Sequence, residues 1–288
     1  MKIVCIGLGS MGAPIAQNLL NAGFDVTVYN RTPEKAAIFS EKGAVIASSP
    51  SDAARSCDIV ITMLSNDQAV EEVVFGHDGI WNALREGSIH ISMSTISVEL
   101  SRKLEKAHEE KNQYYLSAPV MGRPEMAKNA LLRVLMAGNK KAQAIALPVM
   151  EVLGQEVFSL GEEAWHGNAV KIGTNFLLSS MIESLSEAQS LVKELGMEPS
   201  VLMRVVNAFF QSPIYENYGN IMLKGQFDPP GFRMKLGAKD VGLVQNAASI
   251  AGLHLPLGNL LEESFQKGLD AGNGESDWCA VIKNYEKE

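Results

Sequence analysis

From the N-terminus to about residue 160, short runs rich in β-branched and aromatic residues alternate with longer stretches in which apolar positions recur every three or four residues. The runs fall at 2–6 (KIVCI), 25–30 (DVTVYN), 58–63 (DIVITM), 88–93 (SIHISM), 132–137 (LRVLMA) and 156–159 (EVFS). Helical periodicity fills 11–22, 33–42, 98–111 and 140–152. Strand, helix and strand repeated in this way require crossover connections, so the pattern predicts a doubly wound α/β domain with a mostly parallel sheet covered on both faces. Beyond about residue 163 the strand signal stops. Leu177, Met181, Leu185, Ala188 and Leu191 recur at helical spacing through one long helix, roughly 167–194, which Gly196 is placed to end. Further helices are expected near 199–210, 234–251 and 256–271, with Ser276 positioned to cap a last one. FDPPGF at 227–232 reads as a loop because of its two prolines. The second half is therefore expected to be all-helical.

Composition narrows the partners. At 288 residues and 46% hydrophobic content the chain can bury a large core. A net charge of −8 offers no basic stripe for a phosphate backbone, so nucleic acid is not an expected partner. Three cysteines, Cys5, Cys57 and Cys279, lack C-x-x-C spacing, which argues against a disulfide framework and against a zinc site; no metal is expected and a reducing cytoplasm fits. No run approaches about 18 apolar residues, and the stretch before Gly7 is too short for a secretion signal, so neither export nor a membrane span is expected.

Gly7, Gly9 and Gly12 form G-x-G-x-x-G directly between the first strand and the first helix. In that setting the first glycine allows the tight turn, the second lets backbone approach a pyrophosphate, and the third lets helix pack on strand. The segment Gly7, Leu8, Gly9, Ser10, Met11 and Gly12 is thus a candidate dinucleotide cradle, against the plainer reading of a packing turn. The second strand ends Tyr29-Asn30-Arg31-Thr32, without the carboxylate that would hydrogen-bond the ribose 2′-hydroxyl of NAD. Arg31 flanked by Asn30 and Thr32 suits a 2′-phosphate, which favours NADP over NAD; the alternative is a solvated charge after a strand.

Four more stretches, SMSTIS at 92–97, SAPVMGRPEMAKNALLRVLMAG at 117–138, GNAVKIGTN at 167–175 and KLGAKDVGL at 235–243, follow the glycine turn in an order and spacing that resemble the β-hydroxyacid dehydrogenase family. That family includes 3-hydroxyisobutyrate dehydrogenases and glyoxylate and succinic semialdehyde reductases, and the similarity spans essentially the whole chain. The resemblance implies a Rossmann-type NADP-binding domain over 1–163 and an all-helical substrate and oligomerisation domain over 164–288. It further implies that Ser94 and Thr95 lie at the nicotinamide end of the cofactor, that Val120, Met121, Gly122 and Arg123 border a substrate carboxylate, and that Met63, Leu64 and Ser65 pass under the adenosine side. Lys171 matches the family's catalytic lysine and Asn175 its substrate-orienting asparagine. Lys239 and Asp240 match a pair that closes over the cofactor, and Phe232 an aromatic residue lining the same cleft. The residues themselves agree on one point: Lys171 and Asn175 are four apart on a helix and share a face, although a snorkelling lysine is the plainer reading without the resemblance.

Two departures bear on the substrate. Met121-Gly122-Arg123 stands where most of the family has a small hydroxyl residue and two small residues, so the serine that would hold a carboxylate is missing and backbone N–H groups or Arg123 must replace it. Trp165-His166 precedes the lysine where the family has a more glycine-rich approach, and Trp165 either reshapes the cleft or packs between domains. His166 reads more readily as a capping or surface histidine than as a catalyst. Glu105, Glu109 and Glu110 with Lys103, Lys106 and Lys111 read as a solvated helix face. The expectation is an NADP-dependent oxidoreductase acting on a small aldehyde or keto acid, or on a 2- or 3-hydroxy acid, assembled as a homo-oligomer. The alternatives are a reductase of a non-acid carbonyl or imine, and a catalytically silent NADP-binding protein.

Overall fold

The computed structural model describes residues 1–286 and divides into two compact units, one from Met1 to Lys171 and one beginning at Ile172. The first unit is built on nine strands: β1 (Lys2–Ile6), β2 (Asp25–Tyr29), β3 (Val45–Ile46), β4 (Ile59–Thr62), β5 (Ile89–Ser92), β6 (Tyr114–Ser117), β7 (Val120–Met121), β8 (Leu132–Gly138) and β9 (Gly154–Ser159). Their order is β3-β2-β1-β4-β5-β6-β8-β7, with β9 beside β8. The first six pair in parallel, β8 runs antiparallel to β6 and β7, and β9 returns parallel to β8. This is the doubly wound, mostly parallel Rossmann-type sheet, in which the chain leaves β1 for β2 and β3 and then crosses back to β4.

Eight α-helices lie wholly in this unit: α1 (Gly12–Asn21), α2 (Pro33–Ala37), α3 (Pro50–Ala54), α4 (Asp67–Phe75), α5 (Ile80–Ala83), α6 (Val98–Glu109), α7 (Pro124–Lys128) and α8 (Lys140–Glu151). Their starts are written locally. Ser49, Asn66, Ser97 and Asn139 each accept a backbone N–H from the first turn of α3, α4, α6 and α8, and prolines open α2, α3 and α7. Two apolar layers follow from the alternation of the strands. Ile3, Cys5, Ile59, Ile61, Ile89 and Ile91 pack with α1 on one face, and Val4, Ile6 and Val60 with residues of α3, α4 and α6 on the other.

The long helix α9 (Trp165–Glu194) leads into the second unit, which continues with α10 (Pro199–Phe210), α11 (Pro213–Lys224), α12 (Met234–Ile250), α13 (Pro256–Asp270) and a 3-10 segment Trp278–Tyr285. Its core gathers Met181, Ile182 and Leu185 with Met203, Met222, Phe265 and Trp278. The expected stripe on α9 is corrected in part: Met181 and Leu185 are buried, but Leu177 is 69% and Leu191 60% exposed. The inward face is turned by roughly one residue's rotation because it includes Glu183, Ser186 and Gln189, polar residues that find partners inside. Asp277, not Ser276, caps the last segment, accepting from Cys279 N at 3.1 Å. The strands β3, β6 and β7 and the helices α3, α4, α5, α7 and α11 go beyond the elements named from sequence.

Candidate functional site

β1 and β4 are neighbours from which the chain departs in opposite directions, so their carboxyl ends open a crevice. The glycine turn sits there. Gly7 has φ +94°, and a Cβ on it would lie 2.4 Å from Met63 O. A Cβ on Gly12 would lie 1.8 Å from Gly7 O, so that glycine is required for α1 to pack on its own turn. Around Gly9 a Cβ would meet nothing within 4 Å. The fold itself therefore gives Gly9 no packing reason to lack a side chain, and the space is what backbone approach by a ligand requires. α1 begins without a side-chain cap and without an acidic residue in its first turn, so its N–H groups and positive dipole end suit an anion.

A cleft of about 680 Å³ opens at these strand ends, lined by Gly7, Gly9, Asn30, Arg31, Thr32, Met63, Leu64 and Ser65 from the sequence-derived set, and also by Lys35, Ser48 and Ser49, which that set lacked. Ser10 is exposed beside Gly9, Met11 precedes α1, and Leu8 is buried. Asn30 also acts as a strut: its Oδ1 accepts from Leu8 N at 2.9 Å and its Nδ2 donates to Thr32 O at 2.9 Å. The cations on this rim are Arg31 and Lys35, both exposed, while Glu72 and Asp78 also line the cleft.

Ser94 was expected as a substrate contact, and its hydroxyl is engaged by backbone instead. It is fully buried, its Oγ accepts from Leu64 N at 2.8 Å, and it bonds Thr62 O at 3.5 Å, so it ties β4 to the segment after β5 rather than facing a substrate. Thr95 is half-buried on that segment. Asp67 holds the segment's end, accepting from Ser97 N at 3.0 Å and Ser97 Oγ at 2.5 Å.

Lys171 is 8% exposed, and its Nζ donates to Met121 Sδ at 3.4 Å. Val120 is buried, Gly122 adopts φ +141° where a Cβ would press on Leu132, and Arg123 precedes α7. The approach to Lys171 is also fixed. Trp165 lies under the Arg102 guanidinium at 4.4 Å, a contact within this unit. His166 Nδ1 bonds Leu160 O at 3.0 Å, holding the loop after β9 to the start of α9. Glu105 is not merely solvated: it accepts from Ala164 N at 2.9 Å, and burial holds its carboxyl above the usual range. Sequence reasoning assigned no role to Asn168, which is fully buried one turn before Lys171. Its place in GNAVKIGTN, beside Lys171 and Asn175, was the signal available.

In the second unit Asn175 Nδ2 donates to Asp240 Oδ2 at 2.5 Å, and Lys239 Nζ pairs with Asp240 Oδ1 at 2.9 Å. The resemblance had named all three, and here they form one cluster. Phe232 is edge-on to Trp278 at 4.7 Å, with its N–H held by Asp277 Oδ2 at 3.1 Å. Among the described residues no group of three His, Cys, Asp or Glu is arranged to hold a metal, and no helix is long and apolar enough to cross a membrane.

The strand order, the uncapped helix behind the glycine turn and the open face of Gly9 define a Rossmann-type dinucleotide-binding protein. Residues 2–161 match the model of the NAD binding domain of 6-phosphogluconate dehydrogenase, and residues 166–285 that of the NAD-binding domain of NADP-dependent 3-hydroxyisobutyrate dehydrogenase. The chain is 49% identical over 283 residues to an uncharacterized oxidoreductase, YfjR, of Bacillus subtilis, covering 98% of this chain and 99% of that one. It is 32% identical to glyoxylate/succinic semialdehyde reductase 1 of Arabidopsis thaliana, with 98% of each chain covered. It is also similar to the solved Mycobacterium tuberculosis 3-hydroxyisobutyrate dehydrogenase with L-serine, at TM-score 0.90, 28% identity and 99% of each chain. The chain belongs to the β-hydroxyacid dehydrogenase family of nicotinamide-dependent oxidoreductases.

Proposed function

We propose that this chain is an NADP-dependent oxidoreductase that interconverts a small aldehyde or keto acid and the matching 2- or 3-hydroxy acid, with Lys171 as general acid and base. The observation that carries the reading is the placement of Lys171: a nearly buried lysine whose Nζ reaches the Val120–Arg123 segment, in the same unit as the glycine cleft. When bound, the nicotinamide supplies or accepts the hydride. Lys171 as ammonium gives its proton to the carbonyl oxygen in the reducing direction, and as amine takes it back in the other. Asn175, one turn along α9, orients that oxygen, and Thr95 positions the nicotinamide side. Arg31, Thr32 and Lys35 read the 2′-phosphate, supported by the lack of a carboxylate directly after β2.

A second reading, reduction of a non-acid carbonyl or imine, is favoured by Met121, whose thioether faces Lys171 where the family anchors a carboxylate by a hydroxyl. NADPH oxidation with glyoxylate, succinic semialdehyde, matched uncharged aldehydes and a cyclic imine decides between them. Lys171→Met in the same assay should lower kcat by about 10²–10⁴-fold while NADPH binding stays near wild type. Retention of more than about a tenth of kcat would remove Lys171 from the proton's path.

Assembly and compartment belong to the same reading. Val205, Phe209 and Phe210 on α10 are exposed, Phe209 at 79%, and we propose that a second copy covers them. Light scattering gives the mass that tests it. A cytoplasmic location is supported by three buried free thiols, of which Cys5 and Cys57 are pushed up to about 12 by burial.

A further inference from the structure

We infer that Asn168 is a positioning residue that sets the place of Lys171 through its carboxamide, an inference that rests on the reading of Lys171 as the acid and base. Asn168 is fully buried, and it lies three residues before Lys171 in α9, one turn back on the same side of the helix. Its Oδ1 accepts from Ile96 N at 3.3 Å, and its Nδ2 donates to Ser117 Oγ at 3.1 Å. Ile96 follows directly on Thr95, and Ser117 closes β6, three residues before Val120. One amide therefore ties the lysine's helix to both segments between which the reading places the substrate. Gly167 shows how close that approach is: a Cβ there would lie 2.3 Å from Ser117 Oγ and 2.7 Å from Leu135 O.

The two bonds use the two ends of the amide differently, one as acceptor and one as donor, so no other side chain of that length makes both without a charge or a methyl group in place of one partner. Loss of the amide leaves the Ile96 N–H and the helix start without their tie, and α9 is free to shift against the strand ends. A displacement of about 1 Å at a proton donor is enough to lower a rate by as much as about 100-fold without altering the groups that bind cofactor.

The test compares the full-length wild type with Asn168→Ala, Ser117→Ala, the double variant and Lys171→Met, using NADPH and whichever aldehyde the panel finds best. Asn168→Ala should lower kcat by about 10- to 100-fold, with KM and NADPH Kd within about threefold. Its solvent deuterium isotope effect on kcat should rise, since proton delivery becomes more limiting; a purely structural loss would not move that ratio. Ser117→Ala should cost kcat several-fold, and the double variant should be no worse than Asn168→Ala, because both deletions break one tie. Wild-type kcat in a folded Asn168→Ala, alongside an inactive Lys171→Met, overturns the inference and leaves the lysine reading standing. If Asn168→Ala does not fold, Ser117→Ala decides, and an unchanged kcat and isotope effect there overturn it. An active Lys171→Met overturns the reading and this inference with it.

Discussion

Two histidines inside the Rossmann-type unit make its stability depend on pH in a direction that can be worked out. Gln113 Nε2 donates to Leu84 O at 2.8 Å and Trp81 O at 3.1 Å, which leaves its Oε1 to accept from His108 Nδ1 at 2.7 Å. His108 Nε2 must then accept from His90 Nδ1 at 3.0 Å, and His90 Nε2 from Thr62 Oγ1 at 3.0 Å. Each ring, when neutral, thereby has one fixed tautomer, and a second proton on either would force the Thr62 hydroxyl to turn from donor to acceptor. Burial holds His108 down to about 4 from the ordinary 6.5; burial first, then the neighbouring His108, holds His90 well below it. As the pH falls through 6.5 the unfolded chain takes up two protons that the native chain refuses, so the contribution, complete above that value, is lost toward about pH 4. Each proton is worth about 1.4 kcal/mol per pH unit, so the pair removes about 4 kcal/mol between pH 7 and pH 5. That is a large share of an ordinary domain's stability of about 5–15 kcal/mol. Urea unfolding followed by tryptophan fluorescence at the two pH values measures the loss, and imidazole NMR of a chain with five histidines locates the rings' titration. Either ring titrating near 6.5 in the native state, or a loss below about 1 kcal/mol, would refute the argument.

The glycine turn gives a paired expectation. Gly9→Ala should fold with wild-type Tm yet weaken NADPH binding about tenfold or more, since its Cβ meets only the ligand's space; Gly12→Ala should lower stability by about 1–3 kcal/mol because Gly7 O must move. Unchanged NADPH affinity in Gly9→Ala counts against the cradle. Arg31→Ala should weaken NADPH by about 1.5–3 kcal/mol and leave NADH nearly unaffected, with Lys35→Ala having a smaller effect in the same direction. Equal losses with both cofactors in isothermal titration would show that neither cation reads the 2′-phosphate.

The sheet was legible because β1, β4 and β5 are short β-branched runs buried on both faces, and because alternation with helices leaves few ways to connect them. β6 was not: Tyr114-Tyr115-Leu116-Ser117 has no β-branched residue and follows the polar Lys111-Asn112-Gln113, so neither its composition nor its flank marks a strand as those of β4 and β5 do. β7 has two residues and exists only through its pairing with β8. The same limit applied to the site. Glycine spacing is local and was readable, whereas the use made of Asn30, Ser94 and Asn168 is fixed by partners 22, 30 and 72 residues away in sequence. A motif shows which side chains are present; where their hydrogen bonds go is a tertiary fact. The exposed Leu177 belongs to the same class, since its periodicity was right and only the packing of α9 shows which face turns inward.

The carboxamide of Asn30 has a bearing on how this cofactor site can change over generations. It spans the turn and the strand end, with an acceptor toward Leu8 and a donor toward Thr32. An aspartate there would keep the first contact and set a charge against the Thr32 carbonyl, so the exchange that most simply installs a ribose-binding carboxylate damages the turn in the same step. Positions 31, 32 and 35 carry no such double duty, and their side chains are exposed. Drift in cofactor preference is thereby channelled into those three positions, and lineages that switch should differ there while keeping an amide at 30.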